Sequence, residues 1–268
     1  MNSLRAAAIL LLALGGCVSA RQERFEAAAR MEKPAADRFE SLNRKVYAVN
    51  DAVDTYAARP VAVAYVKLVP EAPRRAVSGF FSNAEEPLNV GHAVLQGKVK
   101  SAFRGLDRLL INLFLGAGGL ADHATAMGLD EEPHDAGQTM AVWGIGPGPY
   151  VMLPFFGPST LRDGIGFVID FAVDPYRYIQ RQTVPVSTRT QLLALEVTDL
   201  RARLLTQGEQ LLTGSADEYA TLRSAYLQSR RAELYDGDPP LDEEDYLDAD
   251  LDLPVEDSAT DPVPPDRR

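Results

Sequence analysis

Few residues in this chain could act as nucleophile, general base or metal ligand. The three histidines, His92, His123 and His134, fall at spacings that match no common metal site. His134-Asp135 could pair a base with its orienter, but no nucleophile motif accompanies it, and a satisfied surface histidine is the favoured reading. Gly157-Pro158-Ser159-Thr160-Leu161 breaks the GxSxG elbow, so Ser159 reads as the cap of a helix starting at Leu161. Gly116 to Gly119 precedes no lysine and reads as a helix stop rather than a phosphate loop. Arg162-Asp163 at a helix start could orient a phosphate, although an ion pair is the commoner use of such neighbours. The sequence therefore points to no catalytic set, no cofactor and no resident metal.

Chemistry of another kind is written at Cys17, the only cysteine of the chain. Arg5 gives a positive start, Ala6 to Leu14 give an apolar run too short to cross a bilayer, and Gly15-Gly16 put small residues before the thiol. This is the layout of a bacterial lipoprotein leader, residues 1–16, removed as Cys17 is acylated. Val18 is not the acidic residue that commonly holds such proteins at the inner membrane, so the outer membrane is expected. Residues 17–38 then read as an acylated tether. Several acyl chains hold a protein firmly where one does not.

Charge separates the remainder. The formal net charge of −11 belongs entirely to residues 236–268, which hold 13 acidic and 2 basic residues. With so many Asp, Glu and Pro and so few large apolar residues, this tail is expected to be disordered. Residues 1–235, the body at 39–235 included, balance, with 25 basic and 25 acidic residues, and nucleic acid is excluded as a partner for want of a basic field.

The body reads as all-α. Leu42, Val46, Val49, Val53 and Tyr56 form one stripe of an amphipathic helix that Pro60 should end. Asn43, Tyr47, Asn50 and Asp54 form a parallel polar stripe, for which a solvated face is the ordinary reading. Pro87 suits the first turn of a helix running to about Gly97. Ser101 opens another, with Arg104, Asp107, Arg108 and Asn112 on one edge and Phe103, Leu106, Leu110 and Leu113 on the other. Leu193, Val197, Leu200 and Leu204 make a further seam, and Ser215 with Glu218 fits a capping box before Tyr219, Leu222 and Tyr226. No alternating strand pair is evident.

After Cys17 nothing is long and apolar enough to span a membrane, yet several helices have wide apolar faces. Gly144 to Pro158 holds eight Gly or Pro in fifteen residues, so it cannot be a regular helix, though Tyr150 to Leu153 and Phe155-Phe156 are strongly apolar. Two readings stand for it: a surface loop pinned by its aromatics, or the wall of an internal passage at membrane depth.

Asp135 to Asp163 (DAGQTMAVWGIGPGPYVMLPFFGPSTLRD) resembles the signature stretch of the MlaA (VacJ) family of outer-membrane lipoproteins. Matches flank it at Leu42-Asn43-Arg44, Arg59-Pro60-Val61-Ala62, Phe80 to Asn83, Glu86-Pro87, Leu95-Gln96-Gly97, Ile111-Asn112 and Glu218-Tyr219. Where the family usually carries Asn, this chain has His92. The resemblance implies a single ring-like assembly of amphipathic helices embedded in one leaflet, with an amphipathic channel through it. It further implies removal of stray phospholipid from the outer leaflet to a soluble periplasmic carrier, and association with a trimeric porin. Asn43, Tyr47, Asn50, Asp54, Trp143, Tyr150, Arg162 and Asp163 are the expected channel residues. A porin-bracing lipoprotein without transport and a phospholipid hydrolase are the alternatives from other classes.

Overall fold

The computed structural model describes residues 37–212, 215–237 and Pro239. Cys17, the expected leader, the expected tether up to residue 36 and nearly all of the acidic tail lie outside the described residues.

Helix α1, Glu40–Val53, runs into a π-helical turn, Asp54–Ala58, and then directly into α2, Arg59–Leu68. Pro60 was expected to end the first helix. It instead sits in the first turn of α2, where a missing N–H is tolerated. Helix α3, Glu71–Gln96, likewise carries Pro87 in its interior rather than at its start, so the packing along its length outweighs the lost bond. It ends, as its sequence indicates, at Gly97 in the left-handed region (φ 68°).

Helix α4, Val99–Phe114, packs along α3 and stops at the glycine run. A Cβ on Gly116 would lie 2.2 Å from the Ala121 carbonyl oxygen and 2.4 Å from that of Asn112, so only glycine fits. The short helices α5, His123–Ala126, and α6, Ala136–Val142, are capped by the carboxylates of Asp122 and Asp135, which accept from Thr125 N (3.0 Å) and Gln138 N (2.7 Å).

The Gly/Pro-rich segment corrects the expectation of irregular backbone throughout. Strands β1, Tyr150–Leu153, and β2, Gly157–Thr160, form an antiparallel hairpin pairing Tyr150 with Thr160 and Leu153 with Gly157. Phe155 (φ 67°) and Gly157 (φ 86°) make its turn with positive φ. Helix α7, Leu161–Val173, follows at once; its cap is Thr160 rather than Ser159, whose hydroxyl donates to the Thr160 carbonyl. Then come α8, Pro175–Thr183, α9, Val186–Leu212, and α10, Glu218–Leu234. Asp217, not Ser215, accepts from Ala220 N (3.1 Å) at the start of α10. The fold is mostly helical, and among the described residues no helix is long and apolar enough to cross a membrane.

A small apolar core joins the hairpin to α1 and α10. Tyr150, Met152 and Tyr219 are buried in it, with Val46, Tyr47, Leu222 and Tyr226 against them. The chain divides into two units, the second beginning at Arg230; its described part holds the Arg230–Glu233 ion pair (2.8 Å) and a turn at Gly237 (φ 88°).

Candidate functional site

The polar stripe of α1 is turned inward, not into solvent. Asn43 is 2% exposed, whereas Leu42 and Val49 of the apolar stripe are more than half exposed. The Asn43 amide donates to the Tyr150 carbonyl (3.2 Å) and its oxygen accepts from Met152 N (2.9 Å). Two turns on, Asn50 donates to the Leu153 carbonyl (2.9 Å) and accepts from Phe155 N (2.8 Å). Residues seven apart share a helix face, so the two asparagines meet the edge of β1 as a neighbouring strand would. Tyr47, between them, donates to Glu218 (2.9 Å), and burial raises its phenol first, the hydrogen bond second.

Of the other expected site residues, Tyr150, Arg162 and Asp163 join this cluster. Asp163 accepts from Arg162 Nε (3.0 Å), Thr160 Oγ1 (2.8 Å) and Tyr226 Oη (2.8 Å), and the Tyr226 ring packs edge-on against Tyr150. Arg162 and Asp163 are thus a buried ion pair that seats the hairpin on the first turn of α7. Asp54 lies apart, held by Arg201 of α9 at 2.6 and 2.7 Å. Trp143 also stands apart, half exposed, with its indole donating to the Leu95 carbonyl (3.3 Å).

Inward polarity extends through the fold. Among the described residues, eighteen polar or charged side chains are buried against twelve apolar ones, six of them alanine. The interior is therefore closed by hydrogen bonds rather than by large apolar groups. On α4 the buried face is Gly105, Arg108 and Asn112, while Phe103, Leu106, Leu110, Leu113 and Phe114 are exposed. Arg108 donates through Nε to Glu86 (2.6 Å) and through Nη1 to Thr125 (2.9 Å), and Asn112 donates to Asp122 (3.2 Å). On α7 the buried face is Arg162, Asp163 and Gly166, and Leu161, Ile165, Phe167, Val168, Ile169 and Phe171 face out. A Cβ on Gly166 would lie 2.5 Å from Gly137 N, so glycine lets α7 approach α6 closely.

One buried cluster was missed by sequence reasoning. His92 bridges Thr139 Oγ1 (2.9 Å, from Nδ1) and Asp170 Oδ1 (2.8 Å, from Nε2), the residue order of a hydrolase relay with the two ring nitrogens exchanged. Thr139 is 3% exposed and its hydroxyl donates to the Asp135 carbonyl (3.0 Å), so it is neither accessible nor free to attack. The cluster ties α3 to α6 and α7. His134, expected at the surface, is buried, with Nδ1 3.1 Å from Gln138 Oε1.

Several openings lie among the described helices, one of about 480 Å³ at Arg44, Tyr47 and Glu218 among them. A cleft of about 640 Å³ is bordered by Arg75, Ser78, Ser82, Asp122, Glu131 and Arg203. A smaller one of about 200 Å³ lies between α8 and α9. The carboxyl of Glu85 on α3 is pushed up to about 7, first by desolvation and then by the like charges of Glu196 and Glu131.

The MlaA lipoprotein family matches residues 35–233. The chain belongs to that family. It is 36% identical over 229 residues to the intermembrane phospholipid transport system lipoprotein MlaA of Escherichia coli K12, covering 84% of this chain and 86% of the relative. To the corresponding MlaA lipoprotein of Haemophilus influenzae it is 30% identical over 205 residues, 75% of this chain and 80% of that one. It is also similar to a solved structure described as the structural basis for maintenance of bacterial outer membrane lipid asymmetry, with TM-score 0.64, 34% identity, and coverage of 76% of this chain and 100% of the other. MlaA-family chains are transport lipoproteins and not enzymes, which fits the packing role of the His92 cluster. The sequence signal for that cluster was weak: Thr139 and Asp170 carry no motif, and their meeting with His92 depends on the α6–α7 approach at Gly166.

Proposed function

We infer that this chain is an intermembrane phospholipid-transport lipoprotein of the outer membrane that maintains lipid asymmetry there. Family membership supplies the class. The observation that carries the finer reading is the inversion of α4 and α7, whose apolar side chains face out and whose charged side chains face in. Water is a poor solvent for such a surface, and the acyl region of a bilayer is a good one.

In this reading the helical body is a ring embedded in the inner leaflet of the outer membrane, anchored through acylated Cys17. A phospholipid that has strayed into the outer leaflet enters a polar-walled passage, because its headgroup needs hydrogen-bonding partners that hydrocarbon lacks. It leaves to a soluble periplasmic carrier, and a trimeric porin holds the body in place. The Asn43–Asn50 clip and the Arg162–Asp163 pair fix the hairpin that walls this passage. Of the remaining expected lining, Tyr47, Asp54 and Trp143 keep accessible surface, while Tyr150 is buried in the core beneath the hairpin. The wide outward apolar surface supports the embedding, and the polar clefts support the passage.

The test is surface exposure of phospholipid to an externally added phospholipase. Deletion should raise it, and wild type but not Cys17→Ala should restore it. Unchanged exposure on deletion would overturn the transport reading and leave porin bracing as the role to examine.

A further inference from the structure

Resting on the transport reading, the geometry points to the cleft between α8 and α9 as a seat for the phosphodiester of a phospholipid, held by Arg181 and Arg189. Three arginines line this cleft of about 200 Å³, Arg177, Arg181 and Arg189, with Glu196 as the one acidic member of the lining. They are not equivalent. Arg177 is neutralised: its Nη2 lies 2.8 Å from Glu196 and its Nε 3.2 Å from Asp174. Arg181 donates from Nη2 to the Phe171 carbonyl (3.0 Å), which satisfies a donor and leaves the positive charge in place. Arg189 goes further, for its Nε is buried and has no hydrogen-bond partner among the described residues. That edge of the guanidinium is desolvated, which strengthens the attraction of its charge for an anion in the cleft.

The rim favours a lipid over a free anion. Phe171 closes one side, with the guanidiniums of Arg177 and Arg181 over its ring at 5.2 and 5.3 Å. Val186 and Leu193 border the other side and stay exposed, at 68% and 45%. Guanidinium groups match phosphate oxygens in planar pairs, and the apolar rim offers acyl chains a surface beside the same opening. The sequence alone did not single out these residues, because Arg177 and Arg181 are four apart on α8 while Arg189 arrives from α9.

The experiment uses the full chain in detergent micelles, titrated with dihexanoylphosphatidylglycerol and, separately, with inorganic phosphate. Wild type should bind the lipid more tightly than inorganic phosphate. Arg181→Gln with Arg189→Gln should weaken lipid binding roughly tenfold to hundredfold, the usual worth of charge-assisted hydrogen bonds. Equal lipid affinity in a double variant that melts as wild type does would overturn the assignment. Inorganic phosphate competing on equal terms would overturn the lipid and leave a free-anion site. Should the double variant not fold, a photoactivatable short-chain phospholipid on wild type decides: crosslinks within 171–193 support the seat, and crosslinks confined elsewhere overturn it. Failure here while wild type still restores surface asymmetry refutes the seat alone and leaves the transport reading intact.

Discussion

The hairpin neighbourhood and the α3–α4 pair solve the same problem in opposite ways. Around the hairpin, Tyr150, Met152 and Tyr219 bury apolar rings and a thioether as in any water-soluble core. Between α3 and α4, Arg108, Glu86 and Asn112 take the inside and Phe103, Leu110 and Phe114 the outside. Conventional burial is found where short strands and a proline-rich turn leave backbone groups to be shielded. Inversion is found where long regular helices satisfy their own backbones, so that side chains alone decide which solvent they suit. The body is built for two solvents at once.

The largest effect should come from the inverted region. Arg108→Met leaves Glu86 charged and buried, and we expect a loss of about 3–5 kcal/mol in chemical denaturation. A paired truncation sharpens the contrast: Met152→Ala should cost about 2–5 kcal/mol and Leu110→Ala less than about 0.5 kcal/mol in detergent, because only the first opens a cavity in a packed core. Similar losses at both positions would break the comparison. Asn43→Leu should cost roughly 1–3 kcal/mol through the unmet Tyr150 carbonyl and Met152 N–H, and should speed amide hydrogen exchange along β1.

The smallest effect is electrostatic. Glu85 has its carboxyl pushed up to about 7 from an ordinary 4.5, so the folded state binds a proton that the unfolded state has lost between those values. Stability should therefore fall as pH rises from about 4.5 through 7, and Glu85→Gln should flatten that slope. Melting curves at pH 5 and pH 7.5 for the two proteins provide the check.

Much of the element layout is legible in the sequence: the stops at Gly97 and at Gly116 to Gly119, and the Tyr219–Leu222–Tyr226 face of α10. Periodicity gives the phase of a stripe but not which solvent it meets. The seam Leu193, Val197, Leu200 and Leu204 accordingly reads as core and is 45–52% exposed. The hairpin was hidden because four-residue strands carrying Gly157 and Pro158 have no alternating pattern, and because half of the pairing for β1 comes from side chains of α1. Pro60 and Pro87 misled for a related reason, since each stops an isolated helix more surely than one packed along its length. Of the candidate residues, Asn43, Tyr47, Asn50, Tyr150 and Asp163 proved to be neighbours, while the cleft arginines depend on a helix-to-helix juxtaposition that no local pattern encodes.

The π turn at Asp54–Ala58 has a mechanical consequence of its own. It holds one residue more than the α turn it replaces, so it acts as an angular offset between α1 and α2. Deleting a single residue there would rotate α1 by about 100° against α2. With α2 fixed against α9, Asn43 and Asn50 would swing away from β1 together, and the hairpin would lose both clips in one step. One extra residue thus sets the angle at which α1 meets the hairpin, as a keyway sets a shaft.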